Sequence, residues 1–238
     1  MEIRVLASSS RGNCYLLDDG SSALMLECGL PIRDILRHTS DAGWGYHLHG
    51  VAACLVSHEH KDHSKAVPDL LRLGIKVYMT RGTGAALNLT QIMYKPVQQG
   101  LQFNVAGYTI LPFEVQHDAM DPCGWYIHSH YSGDRVLFAT DTYFMKYRFE
   151  GLTHIMLECN YDEQTMAENL ESGSTVKNVR DRVRYSHFSL ENVIRYLDKL
   201  DLGKVQAIYL LHLSNANANE DRIRTEVMRA TGKQVIIA

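Results

Sequence analysis

The run Ser57-His58-Glu59-His60-Lys61-Asp62-His63-Ser64 decides how the rest of the chain is read. It follows the apolar stretch Val51-Ala52-Ala53-Cys54-Leu55-Val56, which reads as a buried strand entering a turn. So many polar groups at the end of a buried strand are costly unless something binds them. Neutral imidazole nitrogen and carboxylate oxygen are the usual donors for zinc and similar borderline ions. His58 and His60 lie two apart, as an extended or turning backbone needs if both are to point one way, whereas Asp62 and His63 fall where a helix would begin. One segment can therefore feed two adjacent metal positions. The run is not HExxH, because that motif starting at His58 requires histidine at the position held by Asp62. The competing reading is a solvated polar loop with incidental histidines; the strand before the run and the polar residues at later strand ends weigh against it.

With 238 residues, 45% hydrophobic and 21% charged, the chain is sized for one large domain with ample core, and we read 1–238 as a single domain. It has no long apolar run, and "MEIRVLASSS" reads as a first strand rather than a leader, so the expectation is a cytoplasmic protein without a membrane partner. Cys14, Cys28, Cys54, Cys123 and Cys159 stand singly, as buried free thiols in a reducing compartment do, and none is assigned to a metal. The net charge of -3 provides no overall basic field, so a nucleic-acid partner would need a local patch.

The opening, "EIRVLASS", a Ser-Arg-Gly-Asn turn and "CYLLDD", reads as a hairpin, with "SALMLECG" after it. Ser8, Ser9, Ser10 and Gly12 leave room for a ligand or another strand, and a plain tight turn fits equally well. Glu27 ends its strand, where a carboxylate either orients a ligating histidine or faces solvent. Pro31 starts a helix, and His38, His47 and His49 are read as surface or interface histidines. Pro68 suits a first helical turn and Gly74 a stop. "IKVYMT" is a strand, "RGTGAALNL" opens a helix, and two further strands lead to His117. Asp141 follows "VLFAT", Glu158 and Asn160 follow "HIML", and His212 follows "AIYLL", each at a strand exit. Residues 162–186 are polar and helix-prone, with Lys177, Arg180, Arg182 and Arg184 among Val176, Val179 and Val183. They form either a solvated helix face or a phosphate-contacting patch. Ser189 is an N-cap for the helix after His187. "NANANEDRIRTEVMRATG" is a helix, and "KQVIIA" ends the chain.

Candidate ligands at strand carboxyl ends converge on one rim in a sheet-based fold. His58, His60, Asp62, His63, His117, Asp141 and His212 are too many for one tetrahedral zinc. They suit two cations sharing an aspartate and a water, and such a pair can serve in-line displacement at phosphorus.

The pattern HxHxDH, then His117, Asp141 and His212, resembles the metallo-β-lactamase superfamily along nearly the whole chain. "SSSRGNCYLL", "LECGL", "SHEHKDHS", "QHDAMDPCGW", "ATDT", "LECNYD" and "LLHLSNANANE" are similar to the small YycJ-type branch, whose members are regarded as DNA exonucleases working from the 5′ end. The resemblance implies an α/β (α+β) fold, the four-layer αββα sandwich with a dinuclear metal site at the strand ends. It implies His58, His60 and His117 on one metal, Asp62, His63 and His212 on the other, and Asp141 as the bridge. Asp62 thereby belongs to the catalytic centre. Glu27 stands where the family usually has Asp; with Glu158 and Asn160 it is placed behind the ligands. His187 occupies the place where related phosphodiesterases, ribonuclease Z included, keep a histidine before Ser or Thr, which implies protonation of the leaving oxygen.

The resulting expectation is a metal-dependent phosphodiester hydrolase, a 5′-to-3′ DNA exonuclease using Zn2+ or Mn2+, with nucleic acid as substrate. Kept open beside it are an RNA or cyclic-nucleotide phosphodiesterase of ribonuclease Z type, a thioesterase or lactonase, and a non-catalytic metal-binding module. Metal identity, polarity and oligomeric state are not fixed by the sequence.

Overall fold

The computed structural model describes every residue except 42–47 and 175–176, together with the side chains of Asp41, His49 and Val179. His47, Val176 and the side chains of His49 and Val179 therefore lie outside the described residues. The chain divides into two compact units, one of residues 1–114 and 119–134, the other of 115–118 and 135–238.

In the first unit, strands β1 (Glu2–Ser9), β2 (Gly12–Asp18), β3 (Ala23–Leu26), β4 (Val51–Leu55), β5 (Val77–Thr80) and β6 (Lys95–Val97) form one sheet in chain order. The pairs β1–β2 and β2–β3 are antiparallel; those from β3 to β6 are parallel. β2 and β3 are buried along their whole length, as their near-continuous apolar sequence requires. Helices α1 (Ile32–Asp41), α2 (Lys61–Ser64), α3 (Val67–Arg72) and α4 (Arg81–Ala86) fill the crossovers. Ile35, Leu70, Met25, Cys54, Val77 and Met79 meet in the core on this sheet. Because β3, β4 and β5 run parallel, Glu27, Ser57 and Arg81 leave the sheet at the same end. The strands β7 (Phe103–Val105), β8 (Tyr108–Glu114) and β9 (Cys123–Ser129) make an antiparallel meander. Its first turn has positive φ at both Ala106 and Gly107, which matches the twist of a two-residue hairpin.

The second unit carries four parallel strands in chain order, β10 (Arg135–Ala139), β11 (His154–Glu158), β12 (Ala207–Leu211) and β13 (Gln234–Ile237). Its helices are α5 (Glu163–Glu171), α6 (Lys177–Ser186), α7 (Leu190–Leu197) and α8 (Glu220–Thr231). Side chains of Asp162, Ser189 and Asn219 cap α5, α7 and α8, each accepting an N–H three residues on, and Gly232 ends α8 in a left-handed conformation. The single polar segment expected over 162–186 is thus two helices. The register pairs Glu158 with Leu211, so Asp141, Glu158 and His212 leave neighbouring strands at one end.

Candidate metal centre

In the first unit the run is held from behind by residues 27–29. Cys28 N–H donates to His63 O (2.8 Å), Gly29 N–H to Asn13 O (2.9 Å) and Ala66 N–H to Cys28 O (2.9 Å). The approach is so close that a Cβ on Gly29 would lie 1.6 Å from the Asp62 carbonyl oxygen. Space beside Gly12 is likewise taken by Leu30 and Gly29, so this glycine admits chain rather than ligand.

Glu27 is completely buried; one carboxylate oxygen accepts the Ser57 N–H (3.0 Å) and the other lies 3.3 Å from His63 Nδ1. With Nδ1 facing Glu27, His63 presents Nε2, which sits 3.3 Å from Asp62 Oδ2 and 3.2 Å from Asn13 Nδ2. His58 Nδ1 lies 2.8 Å from Ser57 Oγ, and its Nε2 is 3.1 Å from His60 Nδ1. Two imidazole lone pairs at that separation repel unless a proton or a cation lies between them, so the donor set fits a metal ion. Lys61 is exposed, and Glu59 turns aside to accept the Met120 N–H (2.7 Å).

In the second unit, ligand atoms of Asp141, Glu158, His187 and His212 all lie within 4.8 Å of one another. His212 Nδ1 is 3.2 Å from both Asp141 Oδ1 and Glu158 Oε1. His117, three residues beyond the end of β8 rather than directly at it, has Nδ1 3.1 Å from the Ser186 carbonyl and Nε2 3.5 Å from Asp141 Oδ2. A proton on Nδ1 donated to that carbonyl leaves Nε2 as the donor facing Asp141. His187 Nδ1 lies 2.5 Å from Glu158 Oε1, while Glu158 Oε2 accepts the N–H groups of Thr142 (2.9 Å) and Phe188 (3.2 Å). Asn160 donates to the His212 carbonyl (2.8 Å). The three residues placed behind the ligands therefore each touch a histidine in their own unit. Asn13, read only as part of a turn, does so as well; its signal in the sequence was the neighbouring glycine, which lets the turn come close.

The titrating groups feel these contacts in opposite ways. Burial pushes Glu27 up despite the His63 imidazole. Burial also works against ionised Glu158, yet the His187 and His212 imidazoles outweigh it and hold Glu158 below the usual carboxylate range. His117 is lowered by burial, which outweighs Asp141. Burial lowers His187 too, but the Glu158 carboxylate reverses it and the net direction is upward.

Backbone conformation marks the same positions. Glu27 (φ 60°), Asp141 (φ 46°) and His212 (φ 55°) are left-handed non-glycine residues at strand exits, a sparsely populated conformation. All five cysteines are buried and unpaired, and burial pushes the thiols of Cys14, Cys54, Cys123 and Cys159 up.

A model described as a β-lactamase superfamily domain matches residues 31–213. The chain belongs to this superfamily. Its fold is the metallo-β-lactamase fold, two sheets flanked by helices, and it is a divalent-metal-binding hydrolase, as the ligand pattern implied. Exodeoxyribonuclease WalJ of Streptococcus pneumoniae is 26% identical over 228 residues, covering 90% of this chain and 81% of that protein. Exodeoxyribonuclease YycJ of Bacillus anthracis is 25% identical over 240 residues, covering 95% and 88%. Among solved structures, the metallo-β-lactamase fold protein YhfI of Bacillus subtilis gives a TM-score of 0.71 at 16% identity, covering 99% of this chain and 95% of that one. The short form of human tRNase Z gives 0.65 at 13%, covering 100% and 96%. At these identities the structural likeness speaks for the fold alone. No helix among the described residues is long and apolar enough to cross a membrane.

The basic residues of α6 divide. Arg180 pairs with Asp181 (2.6 Å) and Arg184 with Glu163, whereas Lys177 and Arg182 are exposed.

Proposed function

We propose that the chain is a metal-dependent nuclease, a DNA exonuclease working from the 5′ end. The observation that carries the reading is Glu158 meeting both His212 and His187 at Nδ1, which fixes an imidazole beside the candidate ligands. In this reading His58, His60 and His117 would hold one cation and Asp62, His63 and His212 the other, with Asp141 available to either. In this reading residues 1–238 act as one functional domain. The imidazole-rich set suits Zn2+, and its carboxylates also admit Mn2+. When bound, the ions supply the Lewis acidity that activates water and draws charge from a phosphoryl group.

His187 passes a proton from Nε2 to the leaving oxygen, while Glu158 keeps its Nδ1–H in place. Glu27 and Asn160 orient His63 and His212. Lys177 and Arg182 contact substrate phosphates, and Arg180 and Arg184 join them if their carboxylate partners are displaced. The DNA preference rests on the relatives named exodeoxyribonucleases. Five buried free thiols support a reducing, cytoplasmic setting.

A metal-replete assay with 5′- and 3′-labelled single- and double-stranded DNA and RNA tests the reading, with Asp62→Ala as control. Mononucleotides released from the 5′ end of DNA are expected. Turnover of thioesters or lactones with no phosphodiester cleavage would overturn it; cleavage confined to RNA would move the substrate and keep the chemistry.

A further inference from the structure

Beside the second unit's ligand group lies a small cradle of about 160 Å³, walled by Tyr143, Phe144, Asn192, Arg195 and Lys199 over the buried Phe188 and Tyr196. None of its lining residues is acidic. Tyr143 is 38% and Phe144 52% exposed, a poor placement for two large rings unless they meet a partner. They belong to Tyr143-Phe144-Met145-Lys146-Tyr147-Arg148-Phe149, where aromatic and basic residues interleave. The Arg148 charge reaches Tyr196 beneath the cradle.

The platform is wired to the centre. Tyr143 N–H donates to the Gln116 carbonyl (3.1 Å), next to His117. Thr142 N–H is held by Glu158, and Thr142 Oγ donates to the Phe144 carbonyl (2.9 Å). Tyr196 OH donates to the Tyr147 carbonyl (3.1 Å), which ties the other end of the segment to α7. Arg195 and Lys199 lie four residues apart along and just past α7, so both project to the same side. His187 and Phe188 are adjacent in the chain, which puts the floor of the cradle one residue from the proposed proton donor.

We propose that this cradle is the subsite for the nucleotide next to the scissile bond of a single-stranded end, with bases stacking on Tyr143 and Phe144 and phosphates meeting Arg195 and Lys199. Exposed aromatic faces beside cations are the means by which proteins hold single strands without reading sequence. A duplex end would have to fray by at least one base to enter. The inference rests on the nuclease reading and deepens it by naming a single-stranded terminus as what the site accepts.

The test uses the full chain with metal in the buffer and an Asp62→Ala background, so that cleavage does not consume the probe. The probe is a fluorescein-labelled oligodeoxythymidylate followed by anisotropy, with a second oligonucleotide carrying 2-aminopurine at its 5′ position. Replacing both rings, Tyr143→Ala with Phe144→Ala, is expected to weaken binding roughly 5- to 150-fold and to relieve 2-aminopurine quenching. Phe144→Trp should preserve both signals, which separates stacking from misfolding. Arg195→Glu with Lys199→Glu should lower the slope of log affinity against log salt by roughly 1.4, the value for two lost single-strand phosphate contacts. Lys204→Glu, an exposed charge elsewhere, should change neither. If the chain with Asp62 intact cleaves DNA while the ring and charge variants bind single strands as tightly as their Asp62→Ala parent, or while that parent binds none, the cradle falls and the nuclease reading stands. If the intact chain cleaves no phosphodiester, both fall.

Discussion

Glu27 and Glu158 occupy matching places in the two units and behave oppositely. Each is fully buried, accepts backbone N–H from a neighbouring strand exit and faces a histidine. Burial wins at Glu27, which has one imidazole and the hydroxyl and N–H of Ser57, and its carboxyl is pushed up. At Glu158 two imidazoles and two N–H groups outweigh burial, and the carboxyl is held down. The ionisation of a buried acid is thus set by how many donors it collects.

The comparison is broken most severely by removing ligands. Asp141→Ala should lower bound metal below two ions per chain by elemental analysis and reduce hydrolysis by more than 100-fold, beyond the 10- to 100-fold typical of residues behind a ligand. His187→Ala should keep the metal and lose about 10²–10⁴-fold in kcat on DNA. It should lose much less on a diester whose leaving group is a nitrophenolate, because that oxygen needs no proton; equal losses on both would remove the proton-donor role.

Glu158→Gln should cost roughly 10- to 100-fold in activity. Glu27→Gln should sit near the lower end of that range while raising the Tm of the metal-free chain at pH 7. About 2–4 °C is expected, the shift that roughly 1 kcal/mol gives in a chain of this size. A Tm that falls at Glu27→Gln would erase the contrast between the two acids.

The smallest effect is on the pH dependence of unfolding in chelator. Glu158, lowered from its ordinary 4.5, stabilises above pH 4.5 and loses that contribution as pH falls through its folded value. His187, raised from 6.5, stabilises fully below pH 6.5 and loses its contribution as pH rises through its folded value. Glu27, raised from 4.5, does the reverse of Glu158, subtracting stability as pH rises above 4.5. Urea midpoints should therefore fall on the acid side in wild type, and Glu158→Gln should flatten that limb.

The first unit's candidate ligands stand out in the sequence because four of them fall within six consecutive positions, directly after an apolar strand. The second unit's candidate ligands are scattered from His117 to His212, and only strand exits and family pattern single them out; no local spacing joins residues so far apart. Strand β6 was not foreseen, because Lys95-Pro96-Val97 is short and carries the proline that only an edge strand tolerates. The aromatic segment 143–149 carries neither helical nor strand period, so composition alone passed over it. Helices with caps and stops, such as α7 from Ser189 and α3 before Gly74, were read near their observed ends.

The left-handed backbone at Glu27, Asp141 and His212 bears on how this scaffold can change over time. Left-handed geometry costs a side-chain-bearing residue roughly 1–2 kcal/mol, and glycine escapes it. At His212 the gain is offset, because the imidazole is a partner of buried Glu158. A chain that drifted to glycine at Asp141 would shed strain and a buried carboxylate together, so a screen for heat resistance without a screen for turnover should recover Asp141→Gly before any change at His212.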